Sequence, residues 1–389
     1  MTSQADTAAI ERSLRGVASW VEAADYRGYD PGDGLNSPLR RLAFGNRLAE
    51  RVLLQVIWKS PVNLRPYVGI KPMESTKGRG YMARGYFALY RLSGDHSNLE
   101  KAVACLDWLL ENHAPNQPGL AWGNHFDFLT RSGLNPAGSP IIVWTSLIGH
   151  AFLDAYEQLG ESRYLEASKE ICRWILALPR EHTSTGSCLS YVPFAQSSIH
   201  NSNMLGAGML ARCWAHTGDA QALAVARASM EYSCNRQRSD GSWWYGEEPK
   251  YHWIDNFHTG YNLDSLKWFV DSTGDAQAKV HLARGLEYFI RTFFKADGTP
   301  RYYHDRTFPI DIQCAAQGIE TLAFCGRHNS ACLEMARTVA DWTIRNMQGR
   351  DGHFFYRRYP LVTARTPYLH WGQATMFKAL ATLLSACHG

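Results

Sequence analysis

The sequence lacks most of the signatures that assign a chemistry at once. Its 389 residues contain no C-x-x-C, no H-E-x-x-H, no Cys/His cluster, no P-loop and no dinucleotide fingerprint. No motif therefore speaks for a zinc site or a bound nucleotide. His252, Asp255 and His258 are spaced i, i+3, i+6, which spreads them over more than one helical face, so neither a metal nor a cofactor is expected. No stretch approaches the 18 apolar residues of a membrane-spanning helix. There is no Lys/Arg-rich run. The net charge of +4 reads as spread along the chain, which argues against a nucleic-acid partner. Met1 to Ile10 are polar and lack an apolar h-region, so no export signal is expected there. The nine cysteines are odd in number and have no close pairing. Cys105, Cys172, Cys213 and Cys325 sit in apolar helical runs, as reduced, buried thiols do in a cytoplasmic protein. No Pro/Ser-rich linker divides the chain, so residues 1–389 are expected to form a single domain.

What the sequence does have is punctuation. Ser93-Gly94-Asp95, Leu159-Gly160-Glu161, Thr217-Gly218-Asp219, Thr273-Gly274-Asp275 and Cys325-Gly326-Arg327 recur about every 50–65 residues, longer than one solenoid repeat. Each short turn joins an apolar helix to an amphipathic one, and short turns join antiparallel neighbours. The apolar set starts near Arg79, Ile141, Asn201, His258, Asp311 and Trp371. It carries Gly or Ala where backbones must approach, as in Met204-Leu205-Gly206-Ala207-Gly208-Met209-Leu210. Such helices are buried. The amphipathic set covers roughly 41–59, 98–113, 163–178, 220–237, 276–294 and 330–347. The two sets predict an all-α (α/α)6 barrel, a toroid of six helical hairpins. Residues 1–40, a helix near 7–24 and the loop Gly28 to Gly34, are expected to cap the ring.

Two loops carry a resemblance. Gln237-Arg238-Ser239-Asp240-Gly241-Ser242-Trp243 has the Q-x3-G-x-W pattern, and Gln348-Gly349-Arg350-Asp351-Gly352-His353-Phe354 repeats it with Phe for Trp. In this the chain resembles the six-hairpin glycosidase and terpenoid-cyclase-like α/α toroids. Physically, Asp-Gly makes a tight turn and the aromatic packs it against the next helix, so the pattern reads as structural. The stretches Gly28-Tyr29-Asp30-Pro31, Asp33 to Pro38, Ser60 to Pro66 and Trp253 to Gly260 are similar to proteins encoded among genes for surface polysaccharides. That resemblance implies a glycan setting. Terpene cyclases of this kind need D-x-D-D or D-D-x-x-D, and neither occurs. The zinc ligands of prenyltransferases are approximated by Asp311, Cys314 and His370, but the spacing departs from that family's D-x-C.

Loops before the apolar helices all fall at one end of such a ring, and they hold the candidate chemistry. The first brings Glu74, Lys77 and Arg79. The second brings Trp122, His125, Asp127 and Trp144, and the third His200 and Asn203. The fourth is densest, with Trp244, Tyr245, Trp253, Asp255, His258 and Tyr261. The fifth offers Tyr303, His304 and Asp311, the sixth Arg365, Tyr368, His370, Trp371 and Gln373. Flat aromatic faces stack on sugar C–H faces. Six helix N-termini and added cations favour anions, so an oligo- or polysaccharide ligand of acidic character is expected.

Glycoside hydrolysis needs two carboxyl groups about 5 Å apart for retention, or about 6.5–9.5 Å for inversion. The leading expectation is a glycoside hydrolase in which Asp255 and Asp127 are the first candidates for that pair, with Asp311 behind them. Asp255 equally suits a helix N-cap. The alternative is proton transfer by His258, His304 or another histidine next to a carbonyl, the chemistry of an epimerase or a uronate lyase. Ile199 to Met204 is similar to a segment of the sugar 2-epimerases. A non-catalytic glycan-binding protein is the third reading.

Overall fold

A computed structural model of the chain describes residues 4–130, 133–326 and 329–388. Six helices form a closed inner ring: α3 (Thr76–Ser93), α5 (Ile142–Leu159), α7 (His200–Thr217), α9 (Asn256–Thr273), α11 (Ile312–Gly326) and α13 (Ala374–His388). Each packs on the next, and α13 closes on α3. An outer layer wraps them: α4 (His96–Glu111), α6 (Ser162–Leu176), α8 (Ala220–Cys234), α10 (Ala276–Phe293) and α12 (Ser330–Met347). The fold is the expected (α/α)6 toroid, with short strand pairs added in the loops at one end.

The sixth outer position corrects one expectation. It is taken by α1 (Gln4–Ala23), which packs along α13 and α12. The segment read as the first outer helix is α2 (Arg47–Lys59), which lies outside the ring against the turns Asp33–Asn36 and Pro38–Ala43.

The turns behave as their residues dictate. Gly94, Gly218 and Gly274 end inner helices with positive φ, and the next residue caps the following helix. Asp95 accepts from Ser97 N, Asp219 from Gln221 N and Asp275 from Ala278 N. In the fifth turn, Arg327 lies outside the described residues. At the other end, Ser75 caps α3 by accepting from Gly78 N at 3.1 Å, so that helix begins three residues before Arg79. This places Lys77 in its first turn.

The Q-x3-G-x-W loops prove to be latches. Gln237 Nε2 donates to Gly241 O and to His281 O of α10, and Trp243 Nε1 donates to Ser233 O of α8. Gln348 Nε2 makes the same pair of bonds to Gly352 O and to Ser13 O of α1. The repeat of the latch shows that α1 stands to the sixth hairpin as α10 stands to its own. Eight of the nine cysteines are buried free thiols. No described helix is long and apolar enough to cross a membrane.

Candidate active site

The N-terminal turns of α3, α5 and α9, and the turn Leu369–Gln373 that precedes α13, bring side chains together. Ring and polar contacts connect seven of these residues into a closed circuit. His258 lies 6.3 Å from Tyr261 between ring centroids. Tyr261 OH is 3.1 Å from Lys77 Nζ, which sits 4.7 Å from the Trp144 ring. Trp144 packs on His370 at 5.5 Å, His370 on Trp371 at 6.2 Å, Trp371 on Phe257 at 5.3 Å, and Phe257 back on His258 at 3.9 Å. The circuit sits at the loop end, and this cluster with the cleft beside His258 is termed the bowl. Its floor is Tyr261, whose hydroxyl is also within reach of Tyr81 OH and accepts from Gln313 Nε2 at 3.0 Å.

Two histidines of the bowl each stand against an aspartate. Asp255 caps α9, accepting from His258 N at 3.0 Å, and its other oxygen lies 2.7 Å from His258 Nδ1. One carboxylate thus caps the helix with one oxygen and meets the imidazole with the other. Nε2 of His258 meets no described polar partner. Asp30, outside the predicted site residues, places Oδ1 at 2.5 Å from His370 Nδ1, a close charge contact whose angles, unlike those of Asp255 and His258, do not make a hydrogen bond. His125 lies near this second pair, and burial pushes its imidazole below the ordinary histidine range, with His370 adding to the effect.

Beside His258 a cleft of about 10 Å³ is lined by Trp244, Tyr245, Trp253, Asn201 and Asn262. Tyr245 stacks on Trp253 at 4.6 Å and packs on His258 at 4.6 Å. Buried amide groups near it find no partner among the described residues: both ends of Asn201 and Asn256, Oδ1 of Asn262 and Oε1 of Gln313. Buried polar groups are normally paired, so a run of open ones marks a place where hydroxyls or water complete the bonding.

Lys77 is fully enclosed, with Tyr81, Trp144 and Tyr261 around it and no carboxylate within 4 Å among the described residues. Burial drives its ammonium down to about 7, and the nearby Lys378 pushes the same way.

The remaining predicted residues are held elsewhere. Asp127 pairs with Arg40 at 2.6 Å and accepts from Ala137 N. Asp311, fully buried, accepts from Trp371 Nε1 and Gln313 N and pairs with Arg357. Glu74 pairs with Arg79, whose guanidinium lies over Tyr26 and Trp108, away from the axis. Trp122 is a core residue whose indole donates to Leu109 O. His200 is locked between Ser233 and Glu247, and Asn203 between Leu189 N, Ser229 O and Ser233. Gln373 pins the backbone of Phe354 at both ends. Tyr368 is buried under Arg65, while Arg365 is exposed over Phe355. Tyr303 bridges to the Asp255 backbone, and His304 is exposed with Nδ1 at 3.3 Å from Ile254 O.

Below the floor lies a second, larger cavity of about 30 Å³, toward the opposite end of the ring. Arg84, His150, Asp264, Glu320 and Lys378 meet there, one from each of five inner helices. Asp154 bridges Arg84 at 2.8 Å and Arg212 at 2.6 Å. Trp268 stacks on His150 and lies under Arg212. Burial, with Glu320 close by, raises the Asp264 carboxyl to about 7.

No family model and no curated protein matches the sequence. Solved structures do match. A cellobiose 2-epimerase from Bacillus thermoamylovorans superposes with a TM-score of 0.63 at 11% identity, over 81% of this chain and 88% of its own. An unsaturated glucuronyl hydrolase specific for heparin gives 0.63 at 12%, over 97% and 96%. An α-1,6-mannanase from Salegentibacter gives 0.57 at 12%, over 82% and 91%. The chain thus has the toroid fold of the six-hairpin glycosidase-like enzymes.

Proposed function

We propose that the bowl is the active site of a sugar-processing enzyme that works by histidine proton transfer, as an epimerase does. The observation that carries this reading is the Asp255–His258 pair with its second ring nitrogen open beside the bowl. The carboxylate fixes the imidazole's orientation and tautomer, so Nε2 can accept a proton and return it. His370, backed by Asp30 and joined to His258 through Trp371 and Phe257, is the second proton-transfer group. One histidine removes the proton from the carbon beside a sugar carbonyl, and the other delivers one to the opposite face. Trp144, Trp371 and Tyr245 offer stacking faces, and the open amides of Asn201 and Asn262 suit sugar hydroxyls.

The two-carboxylate hydrolysis expected first finds less support. Asp127 is bound to Arg40, Asp311 to Arg357 and Trp371, and Asp255 to His258. Hydrolysis stays the second reading because the glucuronyl hydrolase spans nearly the whole chain. An acidic sugar fits both, since Lys77 has no carboxylate partner of its own.

The test is mass spectrometry of neutral and uronic-acid mono- and oligosaccharides incubated with the protein in deuterium oxide, and in parallel in heavy-oxygen water. Epimerisation gives one deuterium per product and no change in chain length. New reducing ends carrying heavy oxygen, without carbon-bound deuterium, would overturn it in favour of hydrolysis.

A further inference from the structure

The net charge is not spread evenly. Between Pro38 and Lys59 stand five cations, Arg40, Arg41, Arg47, Arg51 and Lys59, against one anion, Glu50. That excess of four equals the net +4 of the whole chain, so the remaining residues sum to zero. Glu50 is buried and tied to Arg40 and Arg47, which leaves a surface with exposed cations only.

The same segment exposes apolar side chains in a pattern. One face of α2 is spent on the fold: Leu54 and Ile57 are buried, and Leu54 packs on Gly34. A second apolar stripe at Leu48, Val52 and Val56, spaced i, i+4, i+8, is 71%, 56% and 56% exposed. Phe44, just before the helix and 90% exposed, and Leu42, 69% exposed, extend it. An exposed contiguous apolar stripe on a helix that packs mainly on its own flanking turns marks an interaction surface.

We propose that this face docks on an anionic lipid bilayer, with α2 lying in the headgroup plane. Apolar side chains flanked by arginines and lysine are the pattern of helices that lie in a membrane interface. A second copy of the chain is the weaker occupant, because two faces that are each positively charged would oppose one another. The docked segment also contacts the loops at the same end of the ring. Arg40 holds Asp127 of the second loop, and Trp58 Nε1 donates to Tyr356 OH beside the sixth. Docking therefore brings the bowl's mouth close to the membrane surface.

The experiment is co-sedimentation of the full chain with vesicles of phosphatidylcholine alone, or with roughly one-third phosphatidylglycerol, at low and high salt. Binding to the anionic vesicles is expected to exceed binding to the neutral ones about tenfold or more and to fall with salt. The triple variant Phe44→Ser, Leu48→Ser, Val52→Ser, and separately Arg41→Glu with Arg51→Glu, should each lose about tenfold with unchanged melting. All five of the altered side chains are exposed, so the variants are expected to fold. Equal or absent sedimentation with both vesicle types overturns the proposal. So does a triple variant that still binds, or a lipid-free dimer by light scattering that the triple variant dissolves.

Discussion

Asp255 Oδ2 lies 2.7 Å from Nδ1 of His258, three residues later in the same helical turn, while Oδ1 of the same carboxylate caps the helix. The two roles can be separated by one atom. In Asp255→Asn the amide oxygen still caps, because Asn is as good an N-cap as Asp. Its NH₂ can then no longer accept from Nδ1, and the imidazole loses its tautomer. Stability is expected to stay within about 0.5 kcal/mol, while turnover falls about 10²-fold or more. His258→Ala should lose about 10²–10⁴-fold. Deuterium incorporation into the sugar and a thermal melt, read together, check both; a variant that melts early but turns over normally would assign Asp255 to the cap alone.

Lys77 gives a pH signature. Its folded pKa is about 7, against about 10.4 in an unfolded chain. Between those values the folded protein binds fewer protons than the unfolded one. Burial of Lys77 therefore costs nothing above about pH 10.4, and the cost grows as pH falls to about 7 and stays level below. Lys77→Met should raise stability at pH 7 by on the order of a few kcal/mol, and the gain should vanish toward pH 10. Urea midpoints measured across that range test it. The same variant should weaken binding of a uronate relative to its neutral sugar, and an unchanged ratio would remove Lys77 from acid recognition.

What the sequence revealed and what it hid follow from the range of the interactions involved. The Gly-Asp turns were legible because each ends one helix and caps the next within three residues, as Asp95, Asp219 and Asp275 do. The latches were legible as turns, because Gln237 and Gly241 lie four residues apart, while their bonds to α10 and α1 were not. The exchange of α1 and α2 was not, since both are amphipathic and only long-range packing, such as that of α1 on α13 and the Gln348–Ser13 bond, tells them apart. Asp30 beside His370 joins residues from the two ends of the chain, with no local signal in either. The inner helices read as apolar all round because each carries only a few charges. Those charges, Arg84, Asp264, Glu320 and Lys378 among them, become a cluster once the ring closes.

Gly241 tests the latch. It has φ +93°, and a Cβ there would stand 2.4 Å from Arg284 O of α10. Gly352 repeats the arrangement against Gly16 O of α1, also at 2.4 Å. Alanine at either site meets backbone strain and a backbone clash at once, so each substitution should cost more than about 1 kcal/mol. Chemical denaturation measures this. Sugar deuteration by the folded fraction should be unchanged, because neither glycine touches the bowl.

Asp154 tests the far end of the ring. Burial alone would raise its carboxyl, but Arg84 and Arg212 outweigh burial and hold it well below the usual carboxylate range. A carboxyl lowered in the fold contributes stability that is present above its unfolded pKa, about 3.9, and is lost as pH falls below that. Asp154→Asn removes a carboxylate shared by two buried guanidinium groups, of which Arg212 keeps Glu157 and Arg84 keeps Glu320 at 3.9 Å, and should cost about 3 kcal/mol at pH 7. The difference from the parent chain should narrow as the pH is lowered below about 4. Replacing Arg84 and Asp154 together, with Met and Leu, should recover much of that loss, because a buried ion pair exchanged for apolar volume is often neutral. Double-mutant denaturation decides the point. A sum of the two single losses, with no recovery, would show that Arg84 is held by Glu320 and the rest of the cluster rather than by Asp154.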